Sequence, residues 1–111
     1  MILKNGGNAE AQSTLGRRPI HLAAIKGYTD MVERLIQHKV DINCQDKDLN
    51  TPLHFASERC DDQSVELLLA NEARADLLNQ KHLYAYDATS DPSIKEIFKK
   101  FGKDVSNPNS Y

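Results

Sequence analysis

The chain matches itself at an offset of 33 residues, and the register holds from end to end without an insertion or a deletion. Residues 18–24 (RPIHLAA) lie over residues 51–57 (TPLHFAS), and one further step of the same length reaches residues 84–90. A repeat of this length predicts a row of similar units, each of which needs its neighbours to cover its apolar face. The whole chain of 111 residues is therefore expected to form one domain.

Each period predicts two short helices and a polar turn. Pro52 suits the first helical position, where its missing N–H costs nothing, and Thr51 before it is a competent N-cap. In the first period, a helix of small residues ends at Gly27, and a second helix runs from about Thr29 to His38. The polar residues 41–50 that follow favour a β-turn before the next Thr-Pro.

The motif Thr51-Pro52-Leu53-His54-x-Ala56, with a Leu-Leu helix and an Asp-x-Asn turn at this spacing, resembles the ankyrin repeat. The resemblance implies an all-α solenoid of stacked helix–turn–helix units, with β-turn fingers along one edge, over residues 1–103. We expect a partial repeat at 1–12, full repeats at 13–45 and 46–78, a C-terminal capping repeat at 79–103 and a flexible tail at 104–111. Since about three repeats are the usual minimum, we expect either a marginal stand-alone domain or a piece of a longer array, and the start inside a repeat favours the second.

Two glycine positions of the repeat change along the chain. Gly16 in the finger aligns with Leu49 and His82, and Gly27 between the helices aligns with Cys60 and Ser93. A residue other than glycine at positive φ costs about 1 kcal/mol, so the last repeat and a half should be looser than the first.

The C-terminal segment predicts an amphipathic capping helix that ends at Gly102. Ser93 to Glu96 fits a capping box, and Asp91-Pro92 gives a second start signal. The lysines of this end (Lys95, Lys99, Lys100 and Lys103) could contact phosphate or an acidic partner, but we favour a solvated helix face.

Composition argues against several classes of function. A net charge of −2 gives no overall attraction to nucleic acid or to an anionic membrane. Two cysteines are too few for a disulfide scaffold, and the chain lacks a glycosylation acceptor, which indicates a reducing compartment, the cytoplasm or the nucleus. We interpret both cysteines as small buried hydrophobes at different heights of the stack.

The sequence offers no positive feature of an enzyme, and we predict no cofactor and no metal. His21 and His54 occupy equivalent positions in neighbouring repeats. The ankyrin resemblance implies that such a histidine bonds backbone groups and the Thr hydroxyl, so that it connects one finger to the next.

We therefore predict a non-catalytic protein–protein interaction module that is monomeric by itself. It would bind through its fingers and its concave inner-helix groove, at positions that the repeat does not need for its own packing. These are Leu15, Arg17, Leu22, Ile25, Lys26, Tyr28, Asp48, Asn50, Phe55, Glu58, Arg59, Lys81 and Leu83. Their composition favours a partner with an acidic and partly apolar segment. The alternatives are an inhibitory or regulatory subunit that blocks a partner enzyme, a targeting segment of a larger multidomain protein, and a nucleic-acid binder.

One modification site is also suggested. Asn43 follows Asp41-Ile42 and lies eight residues after Leu35, which is similar to the segment recognised by the asparaginyl β-hydroxylase that modifies ankyrin repeats. The alternative, which we favour, is that Asn43 stabilises the turn through side-chain to backbone bonds.

Overall fold

A computed structural model describes residues 15–105, which form five helices, one 3₁₀ turn and no strand. The elements are α1 (Pro19–Lys26), α2 (Thr29–Gln37), α3 (Pro52–Arg59), α4 (Asp62–Ala70), the 3₁₀ turn (Ala85–Ala88) and α5 (Pro92–Lys100). The predicted all-α class is confirmed. The predicted partial repeat at 1–12 and residues 106–111 of the predicted tail lie outside the described residues, and the repeat boundaries stay predictions.

The helices begin where local chemistry predicts. The Thr51 hydroxyl accepts a hydrogen bond from the His54 N–H at 3.3 Å, and Pro52 occupies the first turn of α3. Asp61 caps α4 by accepting from the Ser64 N–H. α1 starts at Pro19 without a side-chain oxygen in the cap, because Arg18 stands where the next repeat has Thr51.

The helices form two rows that share one core. The inner row is α1, α3 and the 3₁₀ turn, and the outer row is α2, α4 and α5, with each element packed on its successor. Val32 and Leu35 of α2, Val65 and Leu68 of α4, and Ile94 and Phe98 of α5 are buried between the rows. Each such side chain contributes about 1.5–3 kcal/mol by leaving water, so neighbouring repeats stabilise each other.

Successive fingers are joined directly. The Lys47 N–H donates to the Leu15 carbonyl at 3.0 Å, and the Gln80 N–H donates to the Asp48 carbonyl at 2.8 Å. The fingers therefore form a continuous edge, set beside the inner row of helices.

The third repeat departs from the aligned pattern. Ser93, expected at the glycine position between helices, lies inside α5, whose N-cap is Asp91. The Ser93 N–H donates to the Asp91 carboxylate at 2.9 Å, so the predicted capping box at Ser93 is wrong and the second start signal is correct. The physical reason is that the inner helix is shortened to a 3₁₀ turn, which is followed by the extended residue Thr89. The outer helix α5 therefore begins earlier in the sequence than the repeat alignment predicts.

The other aligned positions do adopt positive φ. Leu49, Cys60 and His82 have φ values of 63°, 61° and 62°. All three side chains are exposed, so burial does not compensate for the backbone strain.

Replacing Cys60 with glycine should therefore stabilise the protein. The gain in the folded state is about 1 kcal/mol, reduced by the greater freedom of glycine in the unfolded chain. Urea unfolding of Cys60→Gly would measure it. The matched control is Glu58→Gly, two residues earlier in the same helix, which should destabilise by roughly 0.5–1 kcal/mol. Equal destabilisation by both variants would contradict the strain argument.

Candidate functional site

Two buried histidines position the fingers against the inner helices. The His54 Nδ1 accepts from the Thr51 N–H at 3.1 Å and from the Thr51 hydroxyl at 2.8 Å. Because Nδ1 is an acceptor, Nε2 carries the proton, and it donates to the Leu83 carbonyl at 2.9 Å. This geometry confirms the role that the resemblance implied.

His21 repeats the arrangement one unit earlier. Its Nδ1 accepts from the Arg18 N–H at 2.9 Å, and its Nε2 donates to the carbonyls of Cys44 and Asn50 at 2.9 and 3.0 Å. Each imidazole thus connects the start of an inner helix with the finger that follows it, and neither has a nitrogen left for a metal.

A polar side chain at the base fixes the shape of each of the two fingers that the structure describes in full. The Asp46 Oδ1 accepts from the N–H groups of Asp48 and Asn50, both at 2.9 Å. In the next finger, the Asn79 Oδ1 accepts from the N–H groups of Lys81 and Leu83. These side chains hold the finger tips over the inner helices.

The fingers and the inner helices enclose a cleft of about 490 Å³. We call it the finger cleft; it is lined by Arg17, Asp48, Asn50, Phe55, Glu58, Asn79, Gln80, Lys81, Leu83, Asp87 and Ala88. Seven of the residues predicted to bind a partner meet there: Arg17, Asp48, Asn50, Phe55, Glu58, Lys81 and Leu83. The other six, Leu15, Leu22, Ile25, Lys26, Tyr28 and Arg59, do not line the cleft.

Sequence reasoning missed four lining residues: Asn79, Gln80, Asp87 and Ala88. The alignment could have found two of them. Asn79 aligns with the finger residue Asp46, and Asp87 aligns with His54. Asp87 takes over the local part of the histidine's role, because its carboxylate accepts from the Tyr84 N–H at 3.1 Å.

Arg17 is engaged inside its own stack. Its Nε donates to Asp46 at 3.4 Å, and its guanidinium lies 5.3 Å from the centre of the Phe55 ring. The Asp46 carboxylate is almost completely buried. An Arg17→Glu variant would place two carboxylates together, so it would change the fold as well as the surface and cannot test binding alone.

Arg59 also has a structural role. Its Nη1 donates to the Ile25 carbonyl at 3.3 Å, at the C-terminal end of α1. Its guanidinium occupies the space next to Gly27 that a side chain at that position would need. Arg59 therefore caps the helix of the preceding repeat, which makes it a weaker candidate for partner contact.

Three of the four lysines at the C-terminal end have contacts within the chain. The Lys95 ammonium lies 4.2 Å from the centre of the Tyr86 ring, and Lys100 pairs with Glu66 of α4 at 2.6 Å. Lys99 lies 4.0 Å from Glu96. These contacts favour the interpretation of a solvated, self-paired helix face.

The remaining chemistry is sparse. Among residues 15–105, no group of three or more His, Cys, Asp or Glu side chains is arranged to hold a metal ion. Cys44 is buried and Cys60 is exposed, both as free thiols, so the expectation of a buried Cys60 is wrong. It is exposed because it terminates α3 in the left-handed conformation.

None of the described helices is long and apolar enough to cross a bilayer.

Asn43 lies in the turn before the second finger. Its N–H donates to the Asp41 carboxylate at 2.9 Å, and its side-chain oxygen accepts from the Arg74 N–H at 2.7 Å. The side-chain amide of Asn43 thus connects its own turn to the corresponding turn of the next repeat. The sequence predicts a side-chain to backbone bond within a single turn.

Comparison with known proteins decides the family. A family model described as ankyrin repeats, in three copies, matches residues 1–80. The chain belongs to the ankyrin-repeat family. Ankyrin repeats are a non-catalytic protein-interaction module, and the two rows of helices with their linked fingers are the stack that this ankyrin-repeat protein shares with its family.

Three of its relatives are much longer proteins. Protein phosphatase 1 regulatory subunit 12A of Mus musculus is 33% identical over 77% of this chain and 9% of its own length. NF-kappa-B inhibitor cactus of Drosophila melanogaster is 42% identical over 49% of the chain and 11% of its own length. Serine/threonine-protein kinase VIK of Arabidopsis thaliana is 38% identical over 47% of the chain and 12% of its own length. The chain thus spans about a tenth of each of these three proteins.

The two buried histidines should make folding sensitive to mild acid. Burial is the main reason that the pKa values of His21 and His54 lie below the ordinary 6.5. The unfolded chain therefore binds protons first as the pH falls through 6.5, so stability is present above that pH and is lost below it.

Urea midpoints at about pH 7.5 and about pH 5.5 would measure this loss. The His54→Gln variant should lose less between these pH values, because only one of the two buried imidazoles remains. A midpoint that stays constant or rises towards acid would contradict the assignment.

Proposed function

We propose that this ankyrin-repeat protein binds a partner protein through the finger cleft. The observation that carries the proposal is the convergence of finger residues and inner-helix residues on one concave surface. Phe55 and Leu83 are half-buried in it, and Asp48, Glu58 and Lys81 are exposed around them. An apolar centre within a polar rim is the usual anatomy of a protein interface.

Cross-repeat bonds support this assignment, because they make the surface rigid before a partner arrives. The Asn79 Nδ2 donates to the Asn50 Oδ1 at 3.0 Å, and His54 connects α3 to Leu83. A preorganised surface loses less conformational entropy on binding than a loose one.

Regulation is the form of binding that we favour over passive scaffolding. Two relatives are named as a phosphatase regulatory subunit and as an NF-kappa-B inhibitor. We propose that the chain also regulates its partner, by occupying a surface of it in the cytoplasm or the nucleus, without catalysing a reaction itself. One relative is named as a kinase, and this supports the alternative that the chain is a targeting segment of a larger protein. An activity assay of the purified partner, with and without the chain, separates regulation from attachment.

The hydroxylation of Asn43 stays a separate hypothesis. Its motivation is the Leu35 and Asp41-Ile42 context together with a position in a turn between repeats. Mass spectrometry of the peptide from cells would have to show the added mass of one oxygen atom on Asn43, and an unmodified peptide would refute it.

The binding test uses a partner obtained by affinity purification with the intact chain. Phe55→Ala should weaken that complex by about tenfold or more, because aromatic side chains at the centre of an interface carry much of its energy. Calorimetric titration would measure the change, and thermal unfolding would show that the variant is folded.

The control is Gln63→Ala, which removes an exposed side chain from α4 in the outer row. It should leave the affinity within about twofold, as expected for a residue outside the interface. The proposal fails if Gln63→Ala weakens the complex and Phe55→Ala does not.

A further inference from the structure

We infer that the finger cleft receives a basic, partly apolar segment of the partner, an inference that rests on the proposed function. This is the opposite charge to that of the acidic segment predicted from the sequence, because the prediction treats Arg17 as available to the partner. The structure assigns that charge to Asp46.

Carboxylates outnumber the remaining cations around the cleft. Three acidic side chains line it, those of Asp48, Glu58 and Asp87, and once Arg17 is matched with Asp46 the only other lining cation is Lys81. The carboxylates of Asp46, Glu58 and Asp87 all act to raise the pKa of His54, against the larger effect of its burial. Their fields therefore overlap beneath the cleft.

Two of the three carboxylates are open to a partner. Asp48 and Glu58 are exposed, and neither side chain makes a hydrogen bond or an ion pair with another residue of the described chain. Asp48 lies in a finger and Glu58 in α3, so the two carboxylates come to the cleft from its two different sides, the fingers and the inner helices. A cation between the two carboxylates would be attracted by both.

The apolar part of the cleft indicates which kind of cationic residue would bind there. Phe55 and Leu83 are half-buried in the same cleft. Lysine and arginine pack their aliphatic stems on apolar surface while the charged end reaches outward. A segment that alternates such residues with leucine-like residues matches both features, whereas an acidic segment would bring like charges against Asp48 and Glu58.

The test compares two synthetic peptides on the isotope-labelled full chain by NMR. One peptide contains lysine, leucine and serine, and the other has glutamate in place of each lysine. The lysine peptide should shift the amide signals of the cleft residues, above all those of 48–50, 55–58 and 80–83. The glutamate peptide should leave them unchanged.

Charge variants show whether the attraction is local. The double variant Asp48→Asn, Glu58→Gln should lower the affinity for the lysine peptide by roughly three- to tenfold, as expected for the loss of two exposed ion pairs. The control Glu33→Gln, Glu96→Gln removes the same number of carboxylates from α2 and α5, so the net charge is equal. It should change the affinity by less than about twofold. Equal weakening by both variants would overturn the inference in favour of unspecific attraction.

The remaining outcomes separate this inference from the proposed function. The basic-segment inference alone is overturned if the glutamate peptide binds the cleft more strongly than the lysine peptide. It is also overturned if neither peptide binds the cleft while the affinity of a purified partner still depends on Phe55. A purified partner whose affinity does not depend on Phe55 overturns both. Binding of the lysine peptide that falls with the cleft variant and survives in the control supports the inference.

Discussion

The hydrogen bond from a buried imidazole to the next finger is the interaction on which the rest of the structure depends. His21 and His54 are fully enclosed, and burying a polar ring is unfavourable unless its nitrogens find partners. Each ring satisfies that requirement by joining a helix start to a carbonyl of the following repeat. The chain thereby converts a desolvation cost into a fixed distance between repeats, and the finger cleft exists because this distance is fixed.

The third unit shows what happens when the histidine is absent. Asp87 replaces it and bonds the Tyr84 N–H at the start of its own turn. The inner element there is a single 3₁₀ turn, and α5 closes the stack with Ile94 and Phe98 on its buried face. The cleft is thus bounded on one side by a regular helix and on the other by a short turn that carries a carboxylate.

The sequence was sufficient to predict the features that recur at the same position in successive repeats. The offset of 33 residues placed Thr51 at a helix start, His54 between fingers and α2 close to its observed bounds. It failed where a side chain chooses among distant neighbours. Nothing local in the sequence says that Arg17 reaches Asp46, which is 29 residues away, so the sequence alone makes Arg17 look available to a partner.

The same limit explains the error at Ser93. The alignment carries the position forward unchanged, but the shortened inner element moves the start of α5 back to Asp91-Pro92. Most of the cleft residues were nevertheless predictable, because they occupy positions that the repeat leaves free. Their shared cleft and its sign of charge became visible only with the fold.

Amide hydrogen exchange of a His54→Ala variant tests the central claim most directly. Losing the imidazole leaves the buried Thr51 N–H without the Nδ1 acceptor, and the Leu83 carbonyl keeps only its bond from the Asn79 N–H, at a cost of about 1–3 kcal/mol. The claim predicts faster exchange in the third finger, the 3₁₀ turn and α5, with α1 and α2 nearly unchanged. Uniform acceleration along the chain, or none beyond α3, would contradict it.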